Sequence, residues 1–269
     1  MTSVPTFPQR APGKTKRPCF SIITVCWNAQ DSIRETGNSL AAQSFDDYEW
    51  LVVDGASSDG TLAEVERVAI PNKRVQSQPD AGIYDAMNKA IRLAEGEWLY
   101  FLNSGDQLHD SDVLQDIHAF VQTRPDSTLI FGNARYTGHG TSFIKRFSHI
   151  NRWMLVFEDL NHQATFAHRT LFERIGDFKL EFRYSADYDW FLRVFRSDAK
   201  THYIDRTLCR FLVGGAHSAN LEKLGQERQG LRLQYVSRPS LWLGKRLAGI
   251  RRHYYEWRDA QLSKQEQLK

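Results

Sequence analysis

Two short loops of this chain place carboxylates where they could do chemistry. One is Asp54-Gly-Ala-Ser-Ser-Asp-Gly-Thr61 and the other is Asn103-Ser-Gly-Asp106. A carboxylate at a strand end can accept a hydrogen bond from the imide N–H of a base. One held in a tight glycine-containing turn can bind a hard divalent cation. Mg2+ typically uses one or two protein carboxylates and completes its shell with substrate phosphates and water. A competing reading is that Asp54, Asp59 and Asp106 only make turns, the ordinary use of Asp beside Ser and Gly. That reading weakens if both loops leave the same edge of one sheet. It weakens further with a third element, Asp80-Ala-Gly-Ile-Tyr-Asp-Ala-Met-Asn-Lys-Ala90. The three cysteines, Cys19, Cys26 and Cys209, lack metal or redox spacing and read as reduced, packed thiols.

The elements that must position these loops follow from the apolar pattern. Phe20 to Trp27 is a nearly continuous apolar run, as in strands buried on both faces of a parallel sheet. Asn28 or Asp31 can cap a helix running to about Ser44. A second strand, Trp50 to Asp54, precedes a helix from about Thr61 to Ala69. A weaker strand lies near Arg74–Gln78, a helix spans Ile83 to Ala94, and a fourth strand spans Trp98 to Leu102. Strands alternating with helices predict right-handed βαβ units and a mostly parallel sheet flanked by helices. In such sheets ligands bind beyond the carboxyl ends of the strands, where both loops fall. After about residue 125 the pattern becomes mixed: strands at Thr128–Asn133, Thr141–Phe147 and Gln163–His168, then a helix over Ala186–Arg196. A polar-amphipathic helical tail begins near Asn220, with a break expected at Pro239.

The chain of 269 residues is long enough for a full core, and its 41% apolar and 25% charged composition excludes collagen-like and disordered classes. No run approaches the length of a membrane helix. The net charge of +3 conceals a division: residues 1–18 hold four basic and no acidic side chains, 19–222 hold 20 basic and 28 acidic, and 223–264 hold ten basic and three acidic. An acidic body argues against nucleic acid as a partner, because phosphate-binding surfaces need clustered Lys and Arg.

Four stretches carry a resemblance. Ser21-Ile-Ile-Thr-Val-Cys-Trp-Asn28, Val53 to Thr61, Asp80 to Lys89 and Gly96-Glu-Trp-Leu-Tyr-Phe-Leu-Asn-Ser-Gly-Asp106 resemble the donor-binding half of family 2 glycosyltransferases. His162-Gln-Ala-Thr-Phe166, Ser185-Ala-Asp-Tyr-Asp-Trp-Phe-Leu-Arg193 and Gly214-Gly-Ala-His-Ser218 are similar to acceptor-side segments of the members that assemble bacterial surface polysaccharides. The resemblance implies a GT-A, Rossmann-like α/β fold with a helical C-terminal extension. It also implies an enzyme that inverts the anomeric centre while moving a sugar from a nucleotide-diphosphate donor, usually a UDP-sugar, to a hydroxyl of a saccharide or lipid-linked acceptor.

The resemblance assigns roles by position. Thr24, Val25 and Trp27 fall where the first strand and its loop meet base and ribose, and Asp54 where a carboxylate contacts the base. Asn88 and Lys89 fall in the helix that borders the diphosphate and sugar. Asn103 and Ser104 belong to the donor side, and Asp106 is the last acid of the DxD-type motif, implying Mg2+ or Mn2+. Asn103 and Gly105 stand where many relatives carry aspartate. Asp187 matches the general base and opens a predicted helix, whose N-terminus favours its ionised form; a helix cap is its ordinary alternative. Asp189 is its competitor two residues on. His162 and Gln163 fit the acceptor side or a structural pair, and His217, also on the acceptor side, a metal or phosphate ligand or a plain loop histidine.

Rival readings come from other classes. A sugar-phosphate nucleotidyltransferase needs a basic, Gly-rich phosphate loop after the first strand, where this chain has Trp27-Asn-Ala-Gln-Asp31. The degenerate metal motif suits a non-catalytic nucleotide-sugar-binding or assembly protein. A dinucleotide oxidoreductase needs a G-x-G-x-x-G that is missing after the first strand. Three segments are expected: a disordered leader (1–18), the GT-A domain (19–222) and a basic amphipathic tail (223–269). Residues 223–264 interleave Lys and Arg with Trp242, Leu243, Leu247 and other apolar side chains, which suits an anionic membrane surface or packing on the body. The expected location is cytoplasmic, peripheral on the inner face of the cell membrane.

Overall fold

The structure, a computed structural model, describes residues 17–138, 140–214, 220–247, 249–250 and 254. The expected leader lies almost wholly outside the described residues. The elements run β1 (Phe20–Cys26), α1 (Ile33–Ala41), β2 (Tyr48–Asp54), α2 (Thr61–Arg67), β3 (Lys73–Ser77), α3 (Ile83–Leu93) and β4 (Trp98–Phe101). After these come β5 (Gln107–Leu108), α4 (Val113–Thr123), β6 (Leu129–Gly138), β7 (Thr141–Lys145), β8 (Thr165–His168), α5 (Thr170–Ile175), α6 (Ala186–Val194), β9 (Thr201–Leu212) and α7 (Leu221–Leu233).

One sheet orders its strands β3-β2-β1-β4-β8-β6-β9-β5, with β7 beside β6. The β3-β2-β1-β4 half is wholly parallel. Beyond β4 the pairing is mixed: β8 runs antiparallel to both β4 and β6, while β9 is parallel to β6. The order reverses at β1, since β2 and β3 extend to one side and β4 lies on the other. The crevice at the carboxyl ends of β1 and β4 is therefore the topological switch point at which such sheets bind ligands.

The continuous apolar run of β1 is buried on both faces, as its composition predicts. Ile23 and Val25 enter a layer with α3, α5 and α6, and Phe20, Ile22 and Cys26 enter a layer with α1, α2 and α4. Close approach of α1 depends on Gly37, where a Cβ would lie 2.6 Å from Cη2 of the fully buried Trp50. Any side chain at 37 must push the helix off the sheet, a core overpacking that typically costs about 1–3 kcal/mol.

Four local expectations are corrected. The first helix starts later than Asn28 or Asp31 predicts, at Ile33, because Asn28 takes a left-handed φ of 47° and the chain turns before it coils. The predicted strand Gln163–His168 begins as a 3-10 turn, His162–Ala164, because the Asn161 side chain accepts from Gln163 N and bends the chain there. Four elements, β5, α4, α5 and β9, have no predicted counterpart. Pro239 does not break the tail: the break comes at 234–237, and Pro239 lies in the first turn of the next helix, 238–247, where its missing N–H costs nothing. The boundary drawn at residue 222 falls inside α7. Among the described residues no helix is long and apolar enough to cross a membrane.

Candidate active site

The loops after β1 and β2 are zipped together. Asn28 N donates to Ser57 Oγ (2.7 Å), Ala29 N to Thr61 Oγ1 (2.7 Å) and Gln30 N to Asp59 (3.2 Å). In return Ser58 N donates to Asn28 Oδ1 (3.0 Å) and Gly60 N to Gln30 Oε1 (2.8 Å). The Thr61 hydroxyl holds the Asp59 carboxyl below the usual carboxylate range. Asp54, fully buried at the end of β2, is the hinge of this assembly. Its Oδ2 accepts from Ser57 N (2.9 Å) and Ser77 Oγ (2.6 Å), and its Oδ1 from Ser57 Oγ (2.5 Å) and the Cys26 thiol (3.7 Å). Burial, reinforced by the Asp54 charge, pushes that thiol far above its ordinary value, so Cys26 is an inert donor.

The other donor-side residues divide between core and edge. Thr24 and Val25 are buried, and Thr24 Oγ1 accepts from the Trp50 indole (3.0 Å). Their side chains serve the two core layers, leaving only backbone to face a ligand. Trp27 is 69% exposed at the crevice, and a Cβ at Gly55 would lie 3.4 Å from its side chain. Asn88 is clasped to the backbone of Phe178, donating to its carbonyl (2.8 Å) and accepting from its N–H (3.0 Å). Lys89 donates to Pro79 O (2.9 Å) and pairs with Asp85 (2.8 Å), bracing the loop before α3.

Across the crevice, the loop after β4 meets the turn before β8. Ser104 Oγ lies 2.8 Å from Ser32 Oγ. Two consecutive residues of the turn grip the two ends of the β4 loop: His162 Nε2 lies 3.1 Å from Asn103 Nδ2, and Gln163 Nε2 donates to Asp106 Oδ2 (2.8 Å). Asp106 Oδ1 accepts from Leu212 N (3.0 Å) on β9. Burial pushes the Asp106 carboxyl up to about 6, against the opposing pull of the Leu212 N–H, the Gln163 amide and His162.

His162 also reaches the predicted base. Its Nδ1 lies 2.9 Å from Asp187 Oδ2, and Asp187 Oδ1 accepts from the Tyr84 hydroxyl (2.9 Å) and from Tyr188 N (2.8 Å). Bonding to a carboxylate places the imidazole proton on Nδ1, which leaves Nε2 to accept from the Asn103 amide. Burial, then the Asp187 charge, pushes the Tyr84 phenol well above its ordinary value, so it stays a donor. The structure thus brings Asn103, Asp106, His162, Gln163 and Asp187 into one hydrogen-bonded chain. Asp189 belongs elsewhere, paired with Arg193 (2.8 Å) and Lys179 (3.6 Å). His217 lies outside the described residues.

Tyr84 is the member that sequence reasoning missed. It stands inside the quoted stretch Asp80–Lys89 but reads there as an apolar position of a helix, and its partner lies 103 residues away.

The cluster fits a divalent cation. Asn103 Oδ1 is buried without a hydrogen-bond partner, and an ionised carboxylate has about four lone-pair sites, of which Asp106 uses two. Among the described residues no group of three or more His, Cys, Asp or Glu forms a cage. Few protein ligands, with phosphate and water completing the shell, is the pattern of Mg2+ sites in phosphate-handling enzymes.

An open α/β sheet with two zipped loops and a buried carboxylate cluster at its switch point has the architecture in which ligands bind beyond the carboxyl ends of the strands. The profile of glycosyl transferase family 2 matches residues 21–188, and this chain belongs to that family. A PGL/p-HBAD biosynthesis glycosyltransferase of Mycobacterium tuberculosis is 34% identical over 186 residues, which are 68% of this chain and 72% of the relative. The fold is that of Staphylococcus aureus TarS in complex with UDP-GlcNAc, with a TM-score of 0.67 at 20% identity, covering 81% of this chain and 67% of that one. It is also that of the mannosyltransferase PcManGT from Pyrobaculum calidifontis in complex with GDP-Man and Mn2+, with a TM-score of 0.58 at 19% identity, covering 83% and 64%. The chain is therefore a glycosyltransferase with a GT-A fold.

Proposed function

We propose that this glycosyltransferase moves a sugar from a nucleotide-diphosphate donor, a UDP-sugar, to a hydroxyl of a saccharide or lipid-linked acceptor in surface glycan assembly, with inversion. The observation that carries the reading is the pair of buried carboxylates, Asp106 and Asp187, tied together through consecutive residues Gln163 and His162 at the switch-point crevice. Likeness to a PGL/p-HBAD biosynthesis glycosyltransferase supports a glycan-assembly role, and the UDP-GlcNAc and GDP-Man bound by the structural neighbours support the donor class.

Asp187 takes the proton from the attacking acceptor hydroxyl. The acceptor's hydroxyl oxygen forms the new bond to the anomeric carbon as the bond to the diphosphate breaks, and the diphosphate leaves with the electron pair. A single base carboxylate suits this direct displacement. General-base help of this kind is worth about 10²–10⁴-fold. Tyr84 and His162 hold the carboxylate in place. Asp106, with the free carbonyl of Asn103, holds Mg2+ or Mn2+, which when bound supplies Lewis-acid stabilisation of the departing diphosphate. Trp27 and the zipped β1–β2 loops hold the nucleotide, so that binding far from the reacting carbon positions it.

The tail gives the acceptor a place. Trp242, Leu243, Leu247 and Ile250 are more than half exposed on the tail, with the Arg246 guanidinium 4.2 Å from the Trp242 ring. Exposed apolar side chains among basic ones suit an anionic bilayer. Liposome flotation of the chain with and without residues 234–269 tests this, and equal partitioning would sink it. The donor reading is tested by thermal shift with UDP- and GDP-sugars in Mg2+ or Mn2+, because a bound ligand raises apparent stability by mass action. Stabilisation by UDP-sugars is expected; none with any nucleotide sugar would overturn the reading.

A further inference from the structure

The family match ends at residue 188, inside α6, yet the helix that holds the base region in place lies beyond it. The Glu227 carboxylate of α7 accepts from Arg183 N (3.0 Å), Tyr184 N (2.9 Å) and Ser185 Oγ (2.8 Å). Ser185 is the N-cap of α6, and its side chain makes no capping bond to its own helix. Two backbone N–H groups of one turn and the cap side chain are thus held from outside. These donors lie in the turn that leads into the cap, and an ionised carboxylate makes stronger hydrogen bonds to such N–H and O–H groups than a neutral acceptor does.

The same helix grips the other side of Asp187. Arg232, which is buried, donates to the Tyr188 hydroxyl (3.1 Å) and to Asp159 (2.7 Å), and Arg228 donates to Asp159 (2.5 Å). Arg228 and Arg232 are therefore spent on Asp159 and Tyr188, and Glu227 is spent on the 183–185 turn. Asp187 stands between the two grips.

We propose that Glu227 is a positioning residue for Asp187, and that α7 belongs to the catalytic unit although it lies outside the family-defining segment. The proposal rests on the reading of Asp187 as the base. Its physical content is that Asp187, two residues past Ser185, inherits its place from the turn Glu227 clamps. Misplacement of a reacting group by about 1 Å can cost about 10²-fold in rate.

The test uses the full chain with Glu227→Ala, the near-isosteric Glu227→Gln, the conservative Glu227→Asp and, in parallel, Asp187→Asn. Hydrogen exchange is followed over 181–190. UDP release is followed with whichever of UDP-glucose, UDP-galactose or UDP-N-acetylglucosamine raises the melting temperature most. Glu227→Ala is expected to speed exchange at 183–188 and to lower kcat about 10–100-fold with donor KM within about twofold. Glu227→Asp is expected to recover much of the loss, and Glu227→Gln less, keeping one acceptor oxygen. Wild-type exchange at 183–188, wild-type kcat in Glu227→Ala and Glu227→Gln, or a KM that rises in step with the fall in kcat would each overturn the proposal. Lost turnover in Asp187→Asn beside normal turnover in Glu227→Ala overturns the positioning role alone. Normal turnover in Asp187→Asn overturns the base assignment, and the Glu227 proposal with it.

Discussion

The two sides of the crevice spend their polar groups differently. On the β1–β2 side every acceptor oxygen of Asp54 is taken by a neighbour, Asn88 is clasped to Phe178 and Lys89 is braced on Pro79 and Asp85. On the β4–β8 side Asp106 is buried with its carboxyl pushed up to about 6, Asn103 keeps a carbonyl oxygen without a partner, and Asp187 shares a buried pair with His162. The first side has its polar groups satisfied from within the protein. The second holds polarity that the protein does not fully compensate, the condition that marks functional sites. The residues assigned to the donor side therefore build the loops, and the uncompensated polarity gathers where the β4 loop, the turn before β8, α3, α6 and β9 converge.

The widest separation between the sides should come from Asp187→Asn. Transfer should fall about 10²–10⁴-fold while nucleotide-sugar affinity holds. The measurement is product formation beside donor binding in the same preparation. Retained turnover would remove Asp187 from the mechanism and erase the contrast.

How much of this was legible in the sequence follows from which contacts are local. The β1, β2 and β4 runs declare themselves because strands buried on both faces read as continuous apolar stretches, and the loops after them carry turn residues in order. The 3-10 turn at His162 did not, because a single Asn161 side chain overrides the β-propensity of the run it precedes. Tyr84 and Glu227 were invisible for a different reason. A tyrosine on a helix and a glutamate in a basic tail are common, and only folding reveals partners 103 and 42 to 44 residues away.

Next in size is a pH effect on the metal-free protein. Asp106 has a folded-state value of about 6 against an ordinary 3.8, so the folded chain binds more protons than the unfolded one between roughly pH 4 and 6. The sign follows: the contribution is fully present below about pH 4 and is lost as pH rises through 6, up to about 3 kcal/mol for this buried group. Urea titrations should show that Asp106→Asn flattens this fall relative to wild type. An identical pH slope in both proteins would mean that Asp106 is not the proton holder, and the uncompensated side would lose its clearest mark.

Gln163→Ala should act more gently, by about 10–100-fold on cation affinity, the usual cost of removing a partner that orients a metal ligand. The readout is the Mn2+ dependence of UDP release. The variant should leave the donor-side loops unmoved, because Gln163 is bonded to Asp106 and lies away from the β1–β2 zipper. Unchanged Mn2+ dependence would mean that Asp106 holds no cation in the working enzyme.

The smallest effect should come from Lys89→Met. Its pair with Asp85 joins adjacent turns of one helix and both groups keep partial exposure, so screening leaves about 0.2–1 kcal/mol. Stability should fall by no more than that, and nucleotide-sugar affinity by less than about threefold, because an ammonium already bonded to Pro79 O and Asp85 must give up both to reach a phosphate. A loss of tenfold or more in affinity, with stability unchanged, would show that Lys89 leaves its brace for the diphosphate. The donor side would then also hold a group poised for chemistry, and the contrast between a satisfied side and an uncompensated one would narrow to Asp54 and Asn88.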